Sequence, residues 1–275
     1  MNSPNPDSWN HMSGAGNTFL VATSTVALRD GLTTDTAGER IPQLLSLYRR
    51  ADGAAVEGVI VVQPDLDSFS CVFYNPDGSG GMLCGNGARC AVRFACDMDT
   101  RVNNTWLPFT LNSRQYMAAI DAVPDGSPTI TIKLPPPVSE HVFSPGALRD
   151  IPVTVYYVDN GSDHVVVSMT EFGAETLTKA LRRHEFFPRG VNVNLIEVDD
   201  DNIVNIATFE RGVEAITGAC GTGAVASAIA LWRQGRTSDS VTLRPPSRRL
   251  LHVTIEHDGP VITSIRLQGD ALYDS

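Results

Sequence analysis

The chain has 275 residues, 42% of them hydrophobic and 19% charged, which suits a soluble globular protein with a sizeable core. A formal net charge of -10 argues against a nucleic-acid or membrane-surface partner, because both require a basic face, and points instead to a small-molecule ligand. No stretch approaches the roughly 18 consecutive apolar residues of a membrane-spanning helix, and five cysteines with no export signal predict reduced thiols in the cytoplasm.

The opening MNSPNPDSWNHMSGAGN has neither the basic start nor the apolar run of a signal peptide, and reads as a disordered lead-in ending near His11. TFLVATS (18–24) predicts a strand. Over 37–53, Ile41, Leu44, Leu45 and Tyr48 recur at helical spacing until Asp52-Gly53 stops them. Strands follow over 56–64 and 68–78, bounded by Pro and Asp-Gly turns. A helix over about 86–97 comes after Cys84. Strands around a Pro-Asp-Gly turn occupy 107–137, and Pro135-Pro136-Pro137 forms a stiff linker.

Beyond that linker the pattern repeats. Two strands are predicted over 152–169 and a helix over 172–187. A hairpin over 190–212 turns at Asp199–Asn202. A helix after Cys220 ends at Gly235, and closing strands follow. Each half thus carries a Cys-Gly-x-Gly turn opening a small-residue helix, with the two thiols half a chain apart. A duplicated α+β unit with the site between the halves is the simplest account.

Thiols suit such turns. A helix N-terminus offers unpaired N–H groups and a partial positive charge, and so binds anions. It also depresses a thiol pKa, from about 8.5 toward roughly 3.5–7.5. Two such turns would grip one carboxylate and flank the carbon beside it. One thiolate would remove the hydrogen from one face while the other thiol delivers a proton to the opposite face. The same donors would stabilise charge developing on the carboxylate.

Other readings compete. Cys71, Cys90 and Cys96 read as buried apolar side chains. A metal site from Cys84, Cys90 and Cys96 fits poorly, since a spacing of six turns ~240° per step along a helix, and no metal is expected. A redox pair of Cys84 and Cys220 is a rival, although Cys-x-x-Cys is missing.

SGAGNTF (13–19), NPDGSGGMLCGNGARC (75–90), GSDH (161–164), FPRGVNVNLI (187–196), FERG (209–212), ACGTGA (219–224) and LQGDA (267–271) together resemble the diaminopimelate epimerase family over nearly the whole chain. The resemblance implies two pseudo-symmetric domains, residues 1–134 plus 264–275 carrying Cys84 and residues 135–263 carrying Cys220. Each would be an antiparallel barrel-like sheet around a central helix, with the active site in the cleft between them. It implies epimerisation of LL-diaminopimelate to the meso form without pyridoxal phosphate or another cofactor, in lysine and cell-wall precursor synthesis. Homodimers occur in the family.

By matched position, Cys84 and Cys220 are the acid/base pair, with His164 and Glu210 close enough to tune them. Gly85, Asn86, Gly221 and Thr222 would hold the carboxylate at the reacting carbon. Asn17, Asn75, Asn192, Glu210 and Arg211 would bind the remaining amino and carboxylate groups, Arg211 as a carboxylate clamp and Glu210 toward an ammonium. Ser162 and Asp163 would lie near the far end of the substrate.

The chain departs from the usual family pattern in places. Thr18 stands for Asp, and GAAVEG (53–58) stands for a Gly-x-Gly-x-Asp stretch. Ser162 stands for Asn, Asp163 for Pro and Arg189 for Glu. Related folds include proline racemases, which carry His in place of Asn86, and phenazine-pathway isomerases, which lack the cysteine pair. A histidine racemase would keep both cysteines. A redox or ligand-binding protein that merely keeps the fold is the non-enzymatic alternative.

Overall fold

A computed structural model describes residues 4–50, 53, 55–65, 67–80, 83–98, 106–121, 128–169 and 174–274. The chain divides into two compact units, Met1–Lys133 with Gln268–Ser275, and Leu134–Leu267. Strands predominate, with few helices, and the fold class is α+β.

The first unit runs β1 (Asn10–Gly14), β2 (Asn17–Thr23), α1 (Ser24–Arg29), α2 (Ala37–Leu47), β3 (Gly58–Pro64), β4 (Phe69–Tyr74), α3 (Gly85–Met98), β5 (Leu107–Leu111), β6 (Arg114–Asp121) and β7 (Thr129–Leu134). The second runs β8 (Ser139–Phe143), β9 (Val155–Asp159), β10 (Asp163–Ser168), α4 (Ala174–Arg182), β11 (Asn192–Val198), β12 (Val204–Phe209), α5 (Gly221–Arg233), β13 (Ser240–Arg244), β14 (Leu251–Asp258) and β15 (Val261–Asp270). The chain re-enters the first unit at Gln268, near the end of β15, and ends there with β16 (Leu272–Tyr273).

In the first unit the strand order is β16-β1-β2-β3-β4-β5-β6-β7, and in the second β15-β14-β13-β12-β11-β10-β9-β8. The expected antiparallel sheets are in fact mixed. β2 pairs in parallel with β3, and β4 with β5. β10 pairs in parallel with β11, and β12 with β13. The reason is topological: parallel neighbours need a crossover, and a helical segment supplies each one. α1 and α2 lie between β2 and β3, α3 between β4 and β5, α4 between β10 and β11, and α5 between β12 and β13. The second crossover of each unit is the helix that a thiol precedes.

Both faces of the central strands are covered. In β2, every residue is buried. Leu20 and Ala22 pack with Val26, Ile41 and Leu44 of the outer helices, while Phe19 on the other face reaches Gly87 of α3. In β10, Val165 and Val167 pack with Leu177 and Leu181 of α4. His164 and Val166 alternate to the other face, where α5 packs. α3 is buried from Gly85 to Cys96 and α5 from Gly221 to Leu231. Their small residues allow this close approach.

Three further differences from the sequence reading have simple causes. The lead-in is docked before His11: Trp9 is buried and its Nε1 donates to Asp30 Oδ2 at 2.8 Å. Ser24–Arg29 is a helix, capped by the Thr23 hydroxyl accepting from Val26 N at 3.4 Å, which a strand-like apolar run conceals. Residues 139–143 form an edge strand that is largely exposed and so lacks an alternating pattern. The predicted helix over 37–53 ends at Leu47. Asp52, the Pro-Asp-Gly turn of 124–126 and residues 172–173 lie outside the described residues.

Candidate active site

In the first unit, Cys84 immediately precedes α3. Its carbonyl accepts the first helical bond, from Ala88 N at 2.8 Å, and the Gly87 N–H donates to its Sγ at 3.4 Å. A Cβ on Gly87 would lie 3.3 Å from that sulfur and 3.3 Å from Ile60 Cδ1, so glycine leaves room for the thiol. Asn86 is 2% exposed, and its Oδ1 accepts from Arg89 Nη2 at 2.8 Å. Arg89 is itself fully buried, donating from Nε to Asp270 O at 3.1 Å. A buried guanidinium thus holds the Asn86 amide beside the helix start.

Asn17 opens β2 opposite Gly14, and a Cβ on Gly14 would lie 2.6 Å from Asn86 O. The β1–β2 turn and the α3 N-terminus therefore meet at backbone distance. Asn75 anchors a tight turn: its N–H donates to Ser79 O at 2.7 Å and its amide to Ser79 Oγ at 2.9 Å. Thr18, a departure from the expected pattern, is buried and donates to Ala55 O at 2.6 Å.

In the second unit, Cys220 is the N-cap of α5, with extended φ of -122° and ψ of 110°. Its carbonyl accepts from Ala224 N at 2.9 Å, and its Sγ lies 3.5 Å from Thr222 Oγ1. The Glu210 carboxylate accepts hydrogen bonds from the Thr217 hydroxyl and from Cys220. Burial raises the Glu210 pKa above its ordinary value, and those two hydrogen bonds offset this only in part. Glu210 is therefore suited to take a proton from the thiol that touches it.

His164 is fully buried, and burial pushes its pKa down to about 3. The ring is neutral, with Nε2 3.0 Å from Thr222 Oγ1 and Nδ1 3.1 Å from Asn194 Nδ2. It reaches Cys220 through Thr222, not directly.

Asn192 ties Ser162, Asp163 and Arg211 together. Its amide donates to Ser162 Oγ at 2.9 Å and Asp163 O at 3.1 Å, and its Oδ1 accepts from Arg211 N at 2.9 Å. Arg211 Nη1 donates to Asp163 Oδ2 at 3.3 Å, Gly190 O at 3.0 Å and Arg189 O at 3.2 Å. Asp163 also accepts from Tyr157 Oη at 2.7 Å and Arg189 Nη2 at 2.9 Å. Burial alone would raise the Asp163 pKa, but the Tyr157 and Arg189 hydrogen bonds and the charges of Arg189 and Arg211 hold it below the usual range. Arg211 thus already faces a resident carboxylate. Asp163 alternates with His164 along β10, so it points away from Thr222, into a cavity of about 360 Å³ shared with Tyr157, Phe187 and Arg189.

The other cysteines are core residues. Cys71, Cys90 and Cys96 are buried, and burial pushes the Cys71 thiol up to about 12. Among the described residues no cluster of ligating side chains suited to a metal ion occurs, and no helix is long and apolar enough to cross a membrane.

The diaminopimelate epimerase of Chlorobaculum tepidum is 33% identical over 266 residues, covering 94% of this chain and 96% of the relative. The chain belongs to the diaminopimelate epimerase family. The family model, described as diaminopimelate epimerase, matches residues 156–267. Two solved structures share the fold: a phenazine biosynthesis protein from Bacillus anthracis, with a TM-score of 0.71, 12% identity and coverage of 97% of this chain and 96% of that one, and a hydroxyproline epimerase from Agrobacterium vitis, with a TM-score of 0.68, 16% identity and coverage of 97% and 90%. The chain is accordingly an isomerase, an amino-acid epimerase of the diaminopimelate epimerase kind.

Sequence motifs of the diaminopimelate epimerase family do not mark every residue around the thiols. The motif reading assigns no role to Asn194, Thr208 or Asn160. Asn194 is fully buried, Thr208 is 3% exposed, and Asn160 Nδ2 donates to Thr222 O at 2.8 Å. Asn192 and Asn194 alternate with Val193 and Leu195 along β11, and that polar face in an otherwise apolar strand was the available signal.

Proposed function

We propose that this protein epimerises LL-diaminopimelate to meso-diaminopimelate in lysine and peptidoglycan precursor synthesis, using Cys84 and Cys220 as a two-base pair. The observation that carries the reading is that each thiol stands directly before a buried crossover helix, at the end where the first-turn N–H groups have no partner within the helix and a thiol pKa is lowered. Glu210 draws the proton from Cys220, and the thiolate then takes the substrate's α-hydrogen. The Cys84 thiol returns a proton to the opposite face, which inverts the centre. Backbone N–H groups of Gly85, Asn86, Gly221 and Thr222 bind the α-carboxylate and stabilise the carbanion. Asn17, Asn75, Ser162, Asn192 and Arg211 recognise the far amino acid group.

A second reading is racemisation of another amino acid, such as histidine, by the same thiols. The pairing of Arg211 with Asp163 favours it, because a resident carboxylate competes with a substrate carboxylate for that guanidinium. The deciding experiment is deuterium incorporation by NMR. The reduced protein is incubated in D₂O with LL-diaminopimelate and, separately, with histidine. Deuterium at the α-carbon with meso product supports the first reading. Exchange on histidine alone supports the second. Exchange on no amino acid would reject both.

A further inference from the structure

The hydrogen bonds behind Cys220 have a direction, and one residue sets it. Asn194 Nδ2 donates to the Val165 carbonyl at 2.9 Å, and Thr208 Oγ1 donates to Asn194 Oδ1 at 2.9 Å. A carbonyl only accepts, so the amide orientation is determined: the nitrogen faces β10. The same Nδ2 lies 3.1 Å from His164 Nδ1. Facing a donor, Nδ1 must be the bare nitrogen of the ring. The ring's one proton is then on Nε2, 3.0 Å from Thr222 Oγ1. Thr222 accepts there, which leaves its own proton to point at Cys220 Sγ, 3.5 Å away.

We infer that Asn194 is a positioning residue for Cys220: by selecting the Nε2–H tautomer of His164 it makes the Thr222 hydroxyl a donor to the sulfur. A donor to sulfur favours the thiolate over the thiol. Glu210 sits on the same sulfur as the acceptor for its proton. The sulfur therefore has a fixed acceptor for its proton and a fixed donor to the resulting anion, before any substrate arrives.

The second glycine of the Cys-Gly-Thr-Gly turn belongs to this arrangement. A Cβ on Gly223 would lie 2.4 Å from Asn194 Oδ1 and 2.8 Å from Thr208 Oγ1. Glycine there makes room for the amide that orients the histidine, a role distinct from approach to a ligand.

The inference rests on Cys220 being one of the reacting thiols, but its test needs no amino acid substrate. Protein labelled with ¹⁵N-histidine is examined by long-range H–N correlation NMR, with the His164 signals identified by their loss in His164→Gln. The expected wild-type pattern is a protonated Nε2 and a bare Nδ1, unchanged across about pH 5 to 8. Asn194→Asp presents an acceptor to Nδ1 and should move the proton there. A wild-type ring protonated at Nδ1 would overturn the proposal.

The consequence for sulfur is read by the rate of Cys220 alkylation with iodoacetamide, with Cys84 as the internal control. Thr222→Val should slow Cys220 about tenfold at neutral pH, one unit of thiol pKa, and Thr222→Ser should restore it. Asn194→Ala should slow it similarly in the wild-type background and not at all further in Thr222→Val. Additive effects in the double variant would mean that Asn194 does not act through Thr222, and would overturn the proposal. If Asn194→Ala does not fold, the wild-type tautomer and the Thr222 pair decide the matter. Deuterium exchange on amino acids tests the catalytic reading separately, so the two fail independently.

Discussion

The Cys220 thiol is hydrogen-bonded to the Glu210 carboxylate, and that carboxylate is raised in pKa by its burial. With Thr222 oriented as inferred above, the pair is poised for proton transfer from sulfur to oxygen, since the thiolate, 3.5 Å from the Thr222 hydroxyl, gains a donor as the carboxyl gains a proton. In Glu210→Gln the sulfur keeps a polar neighbour but loses its proton acceptor. Deuterium exchange at the substrate α-carbon should fall by about 100-fold or more, the usual worth of a positioned base. The sign of the stability effect is opposite. A carboxylate whose folded pKa is raised destabilises the fold increasingly as pH climbs through that pKa. Urea unfolding should therefore show Glu210→Gln gaining on wild type from acid to neutral pH. Full exchange activity in this variant would remove Glu210 from the proton path.

Inversion needs both faces of the carbon. Cys84→Ala and Cys220→Ala should each abolish net epimerisation, a loss of at least about 10³-fold. Chiral analysis of product measures it, and full turnover by either variant would sink the two-base assignment.

His164 is neutral in the fold because burial holds its pKa far below 6.5. A histidine depressed in this way contributes stability that is complete above its unfolded pKa and declines as pH falls toward the folded one. The wild type should lose stability between about pH 7 and 4, and His164→Gln should lose less over the same range. Equilibrium urea titrations at several pH values check this, and equal slopes would contradict it.

Asp163 is paired with Arg211, and on the proposed function it competes there with a substrate carboxylate. Removing it in Asp163→Ala should lower KM for diaminopimelate by about tenfold, or ~1.4 kcal/mol of recovered binding. The variant also strands part of an ion cluster that solvent reaches through the exposed Arg189, at a cost of about 1 kcal/mol near neutral pH. The Asp163 pKa is held low in the fold, so its stabilisation is present above the unfolded pKa and disappears as pH falls through the folded one. Stability curves of the two proteins should converge in strong acid. A KM that rises would show that Asp163 supports the substrate.

Gly223→Ala forces a methyl group against Asn194 and Thr208, both buried and backed by neighbours that leave little room to shift. A cost of about 1–3 kcal/mol is expected from overpacking. Gly87→Ala meets Ile60 and the Cys84 sulfur at 3.3 Å and should cost less. Thermal unfolding of the two variants gives the order.

The sequence alone determined the repeated plan, the two helix-opening thiols and the family. Those are local signals: spacing, glycine-rich turns and motif order survive without coordinates. Sheet direction was not local. Whether β4 pairs with β5 in parallel depends on where α3 carries the chain, and strand patterns in a sheet buried on both faces look alike in either direction. The polar surroundings of Cys220 also needed the tertiary structure. Asn194, His164 and Thr222 come from β11, β10 and α5, and only folding brings a carbonyl of one strand to orient an amide of the next. Asp163 was visible as a departure from the expected pattern, but its target was not. That it faces Arg211 follows from the start of β10 lying in parallel register with that of β11, beside the end of β12, where Asn192 fastens both.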